Sequence, residues 1–165
     1  MPQDVPAFRK PTPIERTFNK IFGILVGLGL GLPHNFLLQV RGRKTGRVYS
    51  TPVNLLEFKG GRFLVAGRGR TDWVRNAEAA GEIVLKKAWS RRRFQIRALP
   101  NEEKGEILKA YVDRFRPTVQ RYFPVPARSG PQAFLAVADR YPVFELRPSM
   151  DTPERTGVPP PDAQR

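Results

Sequence analysis

The residues best equipped for chemistry lie in Gly42-Arg43-Lys44-Thr45-Gly46-Arg47 and, just after it, Ser50-Thr51-Pro52. Arg43, Lys44 and Arg47 supply positive charge, and an arginine grips a phosphate through two parallel N–H bonds. Thr45, Ser50 and Thr51 add neutral hydrogen bonds. Gly42 and Gly46 let the backbone turn sharply and let an anion approach main-chain N–H groups. The chemistry this spacing favours is the holding of a multiply charged anion. A solvated hairpin turn is the alternative reading of the same residues. The stretch is not a Walker A loop, which sets Gly directly before Lys-Ser/Thr; here Arg43 stands before Lys44.

Other chemistries have little to work with. The chain has no cysteine, which removes disulfides, thiolate metal sites and thiol nucleophiles. Its one histidine, His34, follows Pro33 and reads as a local hydrogen-bonding residue rather than a catalyst. No metal site is expected. The 29 basic against 15 acidic residues give a net charge of +14, a field that draws anions of several kinds: nucleic acid, acidic lipid surfaces, or small phosphates and carboxylates.

The elements that must position the basic turn read mostly as strands. The 165 residues fit one domain with its own core. Residues 1–13 carry four prolines and are expected to form a flexible arm. Ile14, Phe18, Ile21, Phe22 and Leu25 fall at helical spacing, and Ile21–Leu32 is wholly apolar or glycine until Pro33 ends it. Twelve residues are too few to span a bilayer, which needs about 20. This helix is expected to pack on the core or a dimer partner, or to lie on a membrane surface. Strands are expected over Phe36–Arg41 and Tyr49–Phe58, flanking the basic turn. Lys59-Gly60-Gly61 then signals a hairpin into Arg62–Gly67. Gly67-Arg68-Gly69-Arg70 is a second basic glycine turn. Thr71 or Asp72 can cap a short helix carrying Trp73 and Asn76, closed by Gly81. Glu82–Lys87 and Ala88–Leu99 form another strand pair, the latter with Arg93, Gln95 and Arg97 on one face. Asn101 caps a helix to about Phe115, which Pro117 breaks. Ser129-Gly130-Pro131-Gln132 resembles a capping box for a helix through Ala138, and Pro142–Leu146 is a last strand. The domain is expected over 14–147, with a disordered tail over 148–165. Consecutive antiparallel strands with added helices predict a small barrel or curled sheet.

The basic turn with Ser50-Thr51-Pro52, the turn Val65-Ala66-Gly67-Arg68-Gly69, the pair Trp73 and Asn76, and the strand Glu82-Ile83-Val84-Leu85 resemble, in order and spacing, the deazaflavin-dependent nitroreductase and quinone-reductase family. The resemblance covers about Phe36–Leu99. It implies an α+β fold, a split β-barrel like those of flavin reductases and pyridoxamine-phosphate oxidases, with an N-terminal helix and peripheral helices. It implies a homodimer, the deazaflavin coenzyme F-420 as cofactor rather than flavin mononucleotide, and hydride transfer to a quinone, enone or nitro acceptor. The alternative it leaves is a non-catalytic barrel that binds a fatty acid or other apolar ligand. A small-molecule partner, no nucleic acid, and a cytoplasmic location with possible contact at the inner membrane face complete the expectation.

Carried over by the resemblance, Arg43, Lys44, Thr45 and Arg47 hold the coenzyme's phosphate and acidic tail, and Ser50 and Thr51 add hydrogen bonds. Pro52 shapes the strand start. Ala66, Gly67 and Arg68 lie against the rings, and Trp73 and Asn76 line or brace the pocket. Relatives carry a C-terminal tyrosine cluster that this chain replaces with Gln132-Ala133-Phe134-Leu135, leaving Tyr122 and Tyr141 as the candidate proton donors.

Overall fold

The structure, a computed structural model, describes residues 32–150 and Lys20. The expected N-terminal arm, most of the apolar helix and nearly all of the C-terminal tail lie outside the described residues. Strands β1 (Asn35–Arg41), β2 (Val48–Phe58) and β3 (Gly61–Val65) come first, then helix α1 (Asp72–Ala80) and strands β4 (Glu82–Lys87) and β5 (Ser90–Ala98). Helices α2 (Gly105–Val119) and α3 (Pro131–Leu135) precede the last strand, β6 (Val143–Pro148).

The six strands close into an antiparallel barrel in the order β1-β2-β3-β6-β5-β4. This is the split-barrel class implied by the resemblance. Short turns make three of the six pairings, β1–β2, β2–β3 and β4–β5. Lys59 and Gly60 both take positive φ (48° and 77°) between β2 and β3, the conformation of a tight hairpin turn. The others form at a distance: β4 returns beside β1, and β6 arrives after two helices and inserts between β3 and β5.

Side chains alternate across each strand, so β2 feeds two cores. Leu55 joins Leu38, Val40, Leu64, Ile83, Leu85 and Phe94 inside the barrel. Leu56, one residue on, faces outward with Phe63 and Val65 against Leu108, Val112 and Phe115 of α2 and Phe134 of α3. That packing explains why the chain reads apolar at both positions.

Several boundaries depart from expectation. The helix after Asn101 begins as a separate 3-10 turn, Asn101–Glu103, and α2 then runs through Pro117 to Val119. Two helical stretches meet there at a kink, so the first ends at about Phe115 as expected and a second, short one carries Pro117 on to Val119. Phe115, two residues before the proline, leaves helical geometry (φ −117°, ψ 22°), and Pro117 itself brings no N–H to the helix. The expected capping box before α3 does not form. Gly130 is the N-cap, no side chain caps the helix, and α3 stops at Leu135 rather than Ala138. Strand β5 starts at Ser90, because Ala88 (φ 50°) and Trp89 make the hairpin turn.

Candidate functional site

A cavity of about 540 Å³ opens where the β1–β2 turn, the start of β2, the β3–α1 loop and the first turn of α1 meet. Three cations, Arg43, Lys44 and Arg68, stand on its wall with the hydroxyls of Thr45, Ser50, Thr51 and Thr71. Val40 and Trp73 supply its apolar part. The sequence therefore brings two distant basic turns to one place.

The turn at 42–47 is braced from within. Gly46 donates its N–H to Gly42 (2.9 Å), Gly42 donates to Arg47 (2.7 Å), and Arg41 Nη1 donates to the Gly46 carbonyl (3.1 Å). Gly46 sits at φ 69°, where a side chain would be strained. Gly42 is small for a different reason: a Cβ there would come within 2.5 Å of the Tyr49 ring. That glycine admits an aromatic ring rather than an anion.

Arg43 is tied to α1. Its backbone N–H and its Nη1 both donate to Asn76 Oδ1, at 3.2 and 2.7 Å, and its Nη2 reaches Asp72 Oδ1 at 3.4 Å. Asn76 is buried, so its carbonyl is the fixed anchor and Arg43 the group it positions. Thr45 Oγ1 is 3.1 Å from the Tyr49 hydroxyl and accepts the Arg47 N–H at 3.3 Å. Ser50 Oγ accepts a long bond from Gln39 Nε2, 3.4 Å. Lys44, by contrast, stands on the cavity wall and makes no ion pair or hydrogen bond with the described residues; the acidic Asp72 is on the same wall.

Not every expected residue is there. Arg47 is exposed beside the cavity rather than on its wall, and Pro52 pairs with Leu37 further along β2. Ala66 is buried with Val74 and Phe144, and Gly67 packs toward Phe123 and Tyr111. Both therefore serve the packing behind the loop rather than the cavity wall. Trp73 lines the cavity and also meets Phe144 edge-on, centroids 5.9 Å apart. Tyr141 is a core residue. Its ring stacks on Phe123 at 4.3 Å, its hydroxyl donates to the Tyr122 carbonyl at 2.7 Å, and burial pushes its pKa up. Tyr122 accepts from Arg121 Nη2 at 2.8 Å and lies 6.0 Å from the Arg68 guanidinium, outside the cavity wall. Tyr49 and Thr71, which the sequence reading did not single out, are on the wall. Tyr49 directly precedes Ser50 and Thr51 near the start of β2, beside the basic turn.

The donor set suits a polyanion with a flat aromatic head. The cations and hydroxyls can take phosphate and carboxylate oxygens, and Trp73 with Val40 can take the rings. Thr71 Oγ1 gives an independent sign. It is buried, makes no hydrogen bond among the described residues, and sits at the N-cap of α1 without capping it. The amide end of a helix is itself electropositive. The deazaflavin coenzyme fits these groups.

Comparison with known proteins agrees. Residues 13–124 match the model of the F-420H(2)-dependent quinone reductase family. A solved domain-swapped dimer is 20% identical, with 82% of this chain and 100% of that one covered at a TM-score of 0.51. The structure of an F-420-H2 dependent reductase, FDR-A, is also 20% identical, covering 70% of this chain and 95% of that one at a TM-score of 0.48. A heme storage protein from Vibrio cholerae is 12% identical, covering 84% and 92% at 0.48. No curated protein matches the chain. The family match spans well over half of the sequence, and on it the chain belongs to the F-420H(2)-dependent quinone reductase family, oxidoreductases whose cofactor is coenzyme F-420.

Proposed function

We propose that the cavity beside the 42–47 turn is where the reduced coenzyme binds, and that the acceptor is a quinone. The observation that carries the reading is Lys44, without an ion pair among the described residues, in one cavity with Arg43, Arg68 and the unbonded Thr71 hydroxyl. The bound coenzyme supplies a hydride; the protein supplies binding and orientation. Lys44 and Arg68 hold anionic oxygens, Thr45, Ser50, Thr51 and Thr71 donate neutral hydrogen bonds, and Trp73 gives the rings an apolar wall. Asn76 keeps Arg43 in place rather than touching the coenzyme. The packed floor behind Ala66 and Val74 keeps water from that side. A flat quinone suits the apolar part of the same cavity. The homodimer reading is supported by the similar solved structure that is a domain-swapped dimer, and light scattering tests it.

The test of the site is a fluorescence titration with oxidised coenzyme F-420, with flavin mononucleotide as comparator. The expected result is saturable binding of the deazaflavin alone. Lys44→Ala should weaken it by about 1.5–3 kcal/mol, on the order of 10- to 100-fold in Kd. Unchanged affinity in this variant overturns the assignment. Oxidation of the reduced coenzyme by added quinone, faster than by nitro compounds, then tests the acceptor.

A further inference from the structure

The barrel has a second mouth, at the end away from the coenzyme cavity, and strand alternation builds it. Leu55 of β2, Leu85 of β4 and Phe94 of β5 point into the barrel core. Side chains two residues apart share a face. Two residues nearer the end of each strand, on that same inward face, stand Glu57, Lys87 and Arg92. Arg62 pairs with Glu57 across β2 and β3, and Ser90 pairs with Lys87 across β4 and β5. With Phe36 of β1, these residues line a cavity of about 310 Å³. None of them lines the coenzyme cavity.

The charge on this rim does not balance. One acid faces the mouth, Glu57, and Arg62 already holds it at 3.4 Å. Lys87 gives its ammonium to the backbone carbonyls of Leu32 and Pro33 and stands 4.9 Å from the Phe36 ring. Arg92 makes no ion pair or hydrogen bond with the described residues. The mouth therefore offers a spare guanidinium beside a hydroxyl, above a floor of two phenylalanines and two leucines.

We propose that this mouth is a second ligand site, and that it takes a compact aromatic carboxylate. The ring lies on Phe36, Phe94, Leu55 and Leu85, and the carboxylate meets Arg92 and the Ser90 hydroxyl. An arginine takes a carboxylate through two parallel N–H bonds, and aromatic rings pack on phenylalanine in offset or edge-on pairs. The volume is at the small end for ligand pockets, which run to about 300–1,000 Å³, so a fused ring system fits and a long acyl chain does not. A neutral ring leaves Arg92 unmatched, and an inorganic anion leaves the apolar floor wet.

The test titrates the full chain with 2-naphthoate by calorimetry, with neutral 2-naphthylmethanol and chain-like decanoate as comparators. The expected result is one saturable site, with each comparator about 10-fold weaker or more. Arg92→Gln should weaken 2-naphthoate about 10-fold, with circular dichroism unchanged. Arg91→Gln, its neighbour on the outward face, should leave the affinity as it was, which separates a contact from the general field. Saturating coenzyme F-420 should not displace the naphthoate. No uptake by the folded chain, as when its own residues before Leu32 fill the mouth, overturns the proposal. So does equal affinity in Arg92→Gln, decanoate binding as tightly as 2-naphthoate, or displacement by the coenzyme. The Lys44→Ala titration reads the other cavity, so either site stands or falls without the other.

Discussion

Asn76 shows how one buried side chain can hold a basic turn in place. Its Oδ1 accepts two bonds from Arg43, one from the backbone and one from the guanidinium. Asn76→Ala leaves both donors short of their partner and should cost about 1–3 kcal/mol, read as a lower urea midpoint with unchanged slope. Asn76→Asp keeps the accepting oxygen and should lose less. The cations themselves were plain in the sequence, because charge and glycine spacing are local properties. Which cation would be spent on the protein and which left for a ligand was not, because that depends on a helix 33 residues away in the chain. Tyr49 escaped notice for a related reason: only the fold shows that its ring fills the space a Gly42 side chain would need.

The elements were legible where turn chemistry or alternation marked them. Lys59-Gly60-Gly61 and the helix ending at Gly81 are signals with a fixed backbone geometry, and both appear where expected. Pro117 marked the break at Phe115, but not the helix that resumes after it: Val119 is buried with Phe115 and Phe123, and the resumed turn delivers it there. The junction before β1 carries a pH dependence. His34 packs 4.6 Å from the Phe115 ring, and burial, Arg114 and Lys87 together lower its pKa below 6.5. A group whose folded pKa is depressed stabilises fully above its unfolded value and loses that stabilisation as pH falls. Unfolding midpoints should therefore drop as pH falls through about 6.5 and below, and the slope should flatten in His34→Gln. An equal slope in that variant would assign the effect elsewhere.

Over the whole molecule, the excess of positive charge is unevenly committed. Arg97 donates to both Glu145 and Glu103 at 2.8 Å, which raises its own pKa and holds that of Glu145 down. The face of β5 that reads as uniformly basic is thus partly neutralised near the barrel's middle and bare at its tip. Closure of the barrel was legible as an architecture, but its strand order was not, since nothing local tells β6 to enter between β3 and β5. No described helix is long and apolar enough to cross a membrane.

That strand order bears on how the chain is born. A ribosome releases β1 to β5 first, and the sheet they form has two open edges, on β3 and on β5, until residues 143–148 emerge. Unpaired edges recruit other strands, so the nascent protein is at its most sticky just before that strand emerges. A version stopped after Tyr141 should collect in aggregates, whereas supplying Pro142–Met150 as a separate peptide during refolding should recover soluble protein. The last strand acts as a latch, and a translational pause shortly before it would be the most damaging place for one.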